Sequence, residues 1–266
     1  MTILLPILTL AGLGLIFGIG LAIASKKLAV QSDPRMEQIL ALLPGVNCGA
    51  CGKPGCSGFA EELLAGKTNI ASCKSADLAA QEKITGILGK KVEQKEKLSA
   101  MLLCNGGAKV KNRFLYYGLE DCISANLVLG GQKECIFGCL GYGSCVKACP
   151  FGALTMSKPD HLPMVNQEKC RACNKCVEVC PKKLFVLRPP AAKVYVACSS
   201  HDTGKDTKNF CPAGCIACKS CERACKFDAI HIIDNLAVID YKKCTSCYSC
   251  VKVCPVKIIK TRSPIR

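Results

Sequence analysis

Cys244-Thr-Ser-Cys247-Tyr-Ser-Cys250-Val-Lys-Val-Cys254-Pro255 is the stretch on which the reading of this chain turns. Three cysteines stand two residues apart, and a fourth follows after three more, just before a proline. The same run occurs at Cys170-Arg-Ala-Cys173-Asn-Lys-Cys176-Val-Glu-Val-Cys180-Pro181. A third copy, Cys215-Ile-Ala-Cys218-Lys-Ser-Cys221-Glu-Arg-Ala-Cys225, has Lys226 in place of the proline. In such a run the first three thiolates grip one iron–sulfur cube, and the fourth reaches across to a second cube. Zinc has no use for that crossed spacing, because its sites draw ligands in local pairs.

The crossing predicts ligands in sets of four. Cys215, Cys218, Cys221 and Cys254 form one set, and Cys244, Cys247, Cys250 and Cys225 its twin. Cys170, Cys173, Cys176 and Cys149 form a third. The partner of that third set is irregular. Cys139-Leu-Gly-Tyr-Gly-Ser-Cys145 aligned on Cys215 to Cys221 puts Tyr142 where Cys218 stands. Cys135, four residues upstream, is the available replacement, so the expected set is Cys135, Cys139, Cys145 and Cys180. Short apolar segments flank the runs at 162–165, 184–187, 230–233 and 237–239, with a turn at Asp234-Asn235, and read as small strands.

A different cysteine group lies nearer the N-terminus: Cys48, Cys51, Cys56 and Cys73, spaced C-x2-C-x4-C-x16-C. Gly49, Gly52 and Gly55 let the backbone wrap a cluster and aim N–H groups at it. A helix over 58–65 returns the chain toward Cys73. A zinc site is the competing reading of this group, weakened by its single C-x2-C pair. Four cysteines remain: Cys104, Cys122, Cys198 and Cys211. The segments 101–104 and 194–198 are strand-like runs ending in cysteine, and if they pair in one sheet Cys104 and Cys198 meet at its end. Two readings stay open, a sixth cluster on these four or four buried thiols acting as small apolar residues. The cofactor expectation is five [4Fe–4S] clusters, or six.

Composition agrees. The chain has 266 residues, 24 of them cysteine, no tryptophan and 5% aromatics, so much of its interior must form around something that cysteine binds. A disulfide scaffold would require an oxidising compartment and is usually short. The formal charge of +16 invites a nucleic-acid or lipid reading. A four-thiolate cluster carries about −2, however, so five or six clusters bring the total to about +6 or +4. No nucleic-acid partner is expected, and the residual charge suits an acidic protein. His161, His201 and His231 have no metal-motif neighbours. No nucleophile–base–orienter set is present, so no catalytic residue is assigned.

Residues 3–24 form an apolar, uncharged run long enough to span a bilayer as a helix. Lys26 and Lys27 follow and place the rest of the chain on the cytoplasmic side of the cell (inner) membrane as a single-pass protein. A cleaved signal peptide is the rival, disfavoured by the length of the run and by the lack of a preceding basic residue. A polar link over 25–36 follows. Residues 77–99 read as a charged linker helix with Leu78, Ile84, Leu88 and Val92 on one face. The fold class is therefore α+β: an N-terminal transmembrane helix, a small four-Cys iron–sulfur domain and two tandem dicluster ferredoxin-like modules. The boundaries are 1–27 for the anchor, 28–76 for the four-Cys domain, 77–130 for a linker helix and connecting segment, and 131–190 and 191–266 for the modules.

The order of these parts resembles a known family. A membrane helix, then Asn47-Cys-Gly-Ala-Cys-Gly with Cys56 and Phe59, then Gly138-Cys-Leu-Gly-Tyr-Gly-Ser-Cys145 and the ferredoxin runs are similar to the B subunits of the Rnf ion-translocating electron-transport complexes, in the multi-cluster form. The resemblance covers nearly the whole chain. It implies a component of a translocase that couples ferredoxin:NAD oxidoreduction to Na⁺ or H⁺ movement. Its partners would be reduced ferredoxin, the membrane, and other membrane and flavin-bearing subunits. The chain itself would hold no NAD, flavin or transported ion. Lys226 and Tyr142 depart from the regular pattern. An iron–sulfur subunit of another membrane oxidoreductase, a hydrogenase or a quinone-linked enzyme, is the alternative.

Overall fold

A computed structural model of the chain describes residues 4–28, 33–89 and 98–262. Its first element, α1 (Leu4–Leu28), carries no charge before Lys26 and Lys27 in its last turn. The stretch Ile7–Lys27 is long and apolar enough to cross a membrane, with mean hydropathy 2.4. Its large apolar side chains, from Ile7 to Ile23, stand exposed, which in water would leave an apolar surface needing lipid or a partner. Ile3, and residues 29–32 of the expected polar link, lie outside the described residues.

Three helices build the four-Cys domain: α2 (Pro34–Leu42), α3 (Cys56–Leu64) and α4 (Leu78–Leu88). Asp33 caps α2, accepting from the Arg35 N–H at 2.9 Å, with Pro34 in the first turn where its missing N–H costs nothing. Asp77 caps α4 through the Ala80 N–H at 2.8 Å, and Gly89 ends it at φ 64°. Ile39, Phe59, Leu63, Ile70 and Ile84 meet in the core of this domain. This corrects the linker reading of 77–99. The helix stops at Leu88 and packs Ile84, Ile87 and Leu88 into the four-Cys core, while Leu78 is 55% exposed. Val92 and the rest of 90–97 lie outside the described residues.

The two ferredoxin-like modules share one topology. In the first, β1 (Ser99–Leu102) is followed by α5 (Cys122–Leu127), α6 (Ser144–Lys147), the hairpin strands β2 (Leu154–Met156) and β3 (Pro163–Val165), α7 (Lys175–Val179) and β4 (Phe185–Arg188). The second runs β5 (Val194–Val196), α8 (Gly204–Phe210), α9 (Ser220–Arg223), the hairpin β6 (Ile230–Ile233) and β7 (Leu236–Ile239), α10 (Ser249–Val253) and β8 (Ile259–Thr261). Each has an antiparallel inner hairpin, β2·β3 or β6·β7, and an antiparallel outer pair that joins its first strand to its last, β1·β4 or β5·β8. The Asp234-Asn235 turn is left-handed at both residues, as a two-residue hairpin needs. The proposed pairing of 101–104 with 194–198 is not found. Ser99 lies opposite Arg188 and Val194 opposite Thr261, so β1 completes the first module rather than belonging to a connecting segment.

Arg262 fastens the modules together. Only 8% exposed, it donates to Gln167 Oε1 at 2.8 Å, to Pro189 O at 2.7 Å and to Ser99 Oγ. Burial lowers its pKa, with nearby Cys170 and Tyr195 opposing the shift.

Replacing Phe59, 1% exposed, by Ala should remove about 3–5 kcal/mol from the four-Cys domain. That is most of the stability of so small a unit. Iron analysis should then show loss of that domain's cluster alone; an unchanged iron content would contradict this assignment of its core.

Candidate metal centres

Each cysteine run wraps its backbone in the same unusual way. The residues flanking the middle cysteine are left-handed: Ala172 and Asn174 about Cys173, Ala217 and Lys219 about Cys218, Ser246 and Tyr248 about Cys247. Non-glycine residues adopt this conformation at a cost of about 1–2 kcal/mol each. It turns successive N–H groups inward, as around an anion. The irregular run keeps the shape with glycine, Gly141 at φ 87° and Gly143 at φ 73°, on either side of Tyr142. Tyr142 leans on Tyr116 with ring centroids 5.8 Å apart. The fourth cysteine of a run also repeats a device. Cys149, Cys180 and Cys225 each accept, at 3.4 Å, the N–H of the residue four places on. Cys225 keeps this turn with Lys226 behind it, so the missing proline leaves the geometry intact.

Thiols gather around separate cavities. Cys225, Cys244, Cys247 and Cys250 line one; Cys149, Cys170, Cys173 and Cys176 line another. Cys215 and Cys221 pack with Cys254 in the core of the second module, and Cys218 lies close enough to raise the pKa of Cys221, which burial, the larger cause, helps push to about 11. In the four-Cys domain, burial raises Cys73, and the thiols of Cys51 and Cys48 add to the rise. Cys51 and Cys56 pack on the same core. Asn47 shapes that loop: its Oδ1 accepts the Cys56 N–H at 2.7 Å, and a Cβ on Gly55, at φ 106°, would fall 2.9 Å from the same oxygen.

One expected set is regrouped. Cys122, not Cys135, joins Cys139, Cys145 and Cys180 around their cavity. The segment before it folds back to fill the gap left by Tyr142. Asp121 caps α5 through the Ile123 and Ser124 N–H groups at 3.0 Å and accepts from Ser144 Oγ at 2.6 Å. Ser144 Oγ in turn accepts the Cys122 N–H at 2.8 Å, which ties Cys122 to the residue beside Cys145. Lys182, next to Pro181, holds the segment's far end through Gly130 O and Ile136 O, both at 2.6 Å. Cys135 instead lines a different cavity with Cys104, Cys198 and Cys211. No spacing rule finds Cys122, because its approach depends on the fold of 113–131. The available signal was the Asp-Cys-x-Ser cap.

The donor sets fit iron–sulfur cubes. All 24 cysteines are free thiols. Burial pushes Cys145 and Cys176 up to about 12, with neighbouring thiols adding to the rise, so as thiolates they require cations to hold their charge. A single zinc ion, with Zn–S bonds of about 2.3 Å, would draw its sulfurs to one point. Among the described residues no three His, Cys, Asp or Glu converge in that way. They surround larger spaces, with N–H groups aimed at sulfur. His201 and His231 pair instead with Asp234 and with Glu222 and Asp228.

An apolar N-terminal helix and tandem ferredoxin-like modules define a membrane-associated iron–sulfur electron-transfer protein. An Fe–S cluster family matches residues 43–75, and the 4Fe-4S dicluster domain family matches residues 134–184 and 214–258. The chain is 45% identical over 258 residues to the B subunit of the Na(+)-translocating ferredoxin:NAD(+) oxidoreductase complex of Acetobacterium woodii, covering 97% of this chain and 77% of the relative. It is 41% identical to the B subunit of the ion-translocating oxidoreductase complex of Methanosarcina acetivorans, over 96% of this chain and 97% of the relative. It is also 36% identical to the B subunit of the proton-translocating ferredoxin:NAD(+) oxidoreductase complex of Clostridium ljungdahlii, over 97% and 92%. The chain belongs to the family of B subunits of Rnf-type ion-translocating oxidoreductase complexes, and its clusters are of the [4Fe–4S] kind.

Asp121→Ala should cost about 1–2 kcal/mol at the α5 cap and free Cys122 from Ser144. Iron release to a chelator should quicken for one cluster of the set. Release kinetics identical to wild type would argue against Cys122 as a ligand.

Proposed function

We propose that this chain is the electron-relay component of a membrane complex that couples ferredoxin:NAD oxidoreduction to Na⁺ or H⁺ movement. In this reading it takes electrons from reduced ferredoxin and passes them toward membrane and flavin-bearing subunits. Five [4Fe–4S] clusters carry the current, held by the regular sets, by Cys48, Cys51, Cys56 and Cys73, and by Cys122, Cys139, Cys145 and Cys180. The chain's part in an oxidoreductase is this transfer, with no substrate chemistry of its own. When bound, each cluster supplies a one-electron carrier whose potential follows its charge, its hydrogen bonds and its exposure.

The observation that carries the reading is the polarity of the thiol sets along the chain. In the second module the middle cysteines Cys218 and Cys247 are exposed. Exposed Lys219 and Arg223 stand in the same run as Cys218, with Arg223 near enough to act on its thiol, and Lys226, Lys252 and Lys257, in and just after the two runs, are exposed as well. An acidic one-electron donor would be steered to that face. In the first module the equivalent Cys173 is buried. It lies near enough to Cys48 for that thiol to raise its pKa, burial being the larger cause. Cys51 and Cys73 line a cleft shared with Cys170 and Ala172. The four-Cys domain in turn adjoins the membrane helix in sequence. Electrons thus enter at the second module and leave by the four-Cys site, near the bilayer. The Lys26 and Lys27 pair at the end of α1 supports the cytoplasmic side for the clusters, by the positive-inside rule.

Anaerobically purified protein should be brown and bleach with dithionite. Its reduction by reduced ferredoxin should slow as ionic strength rises, and slow further when Lys219, Lys252 and Lys257 are changed to Glu, while dithionite bleaching stays unchanged. A ferredoxin rate indifferent to both salt and these changes would contradict the docking face.

A further inference from the structure

Four cysteines stand outside the five sites above, and two of them come from each module at matching places. Cys104 follows β1 by two residues and Cys198 follows β5 by two. The residue just before each continues its outer strand pair, Leu103 N–H to Leu184 O at 2.8 Å and Ala197 N–H to Ile258 O at 2.9 Å. Cys135 and Cys211 each precede the first cysteine of a run, Cys139 or Cys215, by four residues. Each accepts on its carbonyl the N–H of the glycine three residues on, Gly138 at 3.0 Å and Gly214 at 3.1 Å.

All four thiols line one cavity at the seam between the modules. Its empty volume, counted out to its mouth, is about 320 Å³, against about 350, 350 and 390 Å³ for the three cavities lined by full sets of four above. Two bonds close the seam beside it: Ser199 Oγ donates to Leu103 O at 2.9 Å, and Lys111 N–H to Phe210 O at 3.2 Å. Gly106 lets the chain pass close beside the cavity, since a Cβ there would lie 2.6 Å from Val110 Cγ2 and 3.2 Å from Cys211 Sγ.

We propose that Cys104, Cys135, Cys198 and Cys211 hold a sixth [4Fe–4S] cluster, and that this cluster is the joint by which electrons cross from one ferredoxin module to the other. The inference rests on the relay reading and supplies its missing link. Matching bonds tie the site to its neighbours on both sides. The Cys139 N–H donates to Cys104 Sγ at 3.5 Å, and the Cys215 N–H donates to Cys198 Sγ at 3.4 Å. A ligand of each flanking cluster thus touches a ligand of the joint. The crossing moves one electron and no atom: the second module's cluster loses an electron, the joint is reduced and reoxidised, and the first module's cluster gains the electron.

The test is iron, acid-labile sulfide and zinc analysis of the anaerobically purified full chain, with rapid-freeze electron paramagnetic resonance after mixing with reduced ferredoxin. Wild type should hold about 24 irons, and Cys198→Ser with Cys211→Ser about 20. Adding Cys135→Ser to that pair should remove no further iron, whereas adding Cys122→Ser should remove about four more. In the double variant the second module's signals should still appear in the fast phase, and those of the first module should drop out of it. About 20 irons in the wild type, or zinc in place of the difference, overturns the sixth cluster while leaving the relay reading intact. Fast reduction of both modules in the double variant overturns the joint. A chain without iron overturns the relay reading itself. The wild-type iron content decides the site even if a variant fails to fold.

Discussion

The bond between a cysteine thiolate and cluster iron is the constraint around which the rest of this molecule is arranged. Cysteine is part of each apolar cluster, as with Cys145, Cys170 and Cys176 beside Ala100 and Phe185 in the first module, and Cys215 and Cys221 beside Ile230 and Ile259 in the second. Sheets of only two strands would be marginal alone. Left-handed residues at Ala172, Asn174, Ala217, Lys219, Ser246 and Tyr248 add strain. Metal binding supplies folding free energy in small domains of this kind. The strained loops, in return, turn amide groups toward sulfur, where they would tune the potential of a bound cluster.

A relay needs its carriers close together and its ends chemically distinct. The repeat meets the first need, because crossing fourth cysteines pack two clusters into each module. The second is met by differences laid over the repeat. Cys218 and Cys247 reach the surface in runs that carry exposed cations, whereas Cys173 is covered and lies near Cys48 of the four-Cys domain. Arg262 and the Ser199–Leu103 bond hold the two modules in register at their seam.

Much of this was legible in the sequence. The runs at 170–180, 215–225 and 244–254 predicted two modules with short flanking strands, and the glycines after Asn47 predicted the small domain. Spacing misled where the pattern broke. Tyr142 removes a ligand from its run, and the nearest cysteine along the chain, Cys135, looked like the substitute. The true neighbour in space, Cys122, arrives on a segment with no local motif, positioned by the Asp121–Ser144 contact. The role of β1 was hidden too, because its partner β4 lies more than eighty residues away and pairing over that distance has no local signature. The equivalence of Cys135 with Cys211 was visible in the alignment of the repeats. Its meaning, two cysteines from each module on one cavity, needed the fold.

The most direct test of the account is the ratio of iron to acid-labile sulfide in the oxygen-protected full-length protein, read beside its visible spectrum. The account predicts equal amounts of the two elements and a broad brown absorption that dithionite removes. A colourless protein, or iron without sulfide, would contradict it.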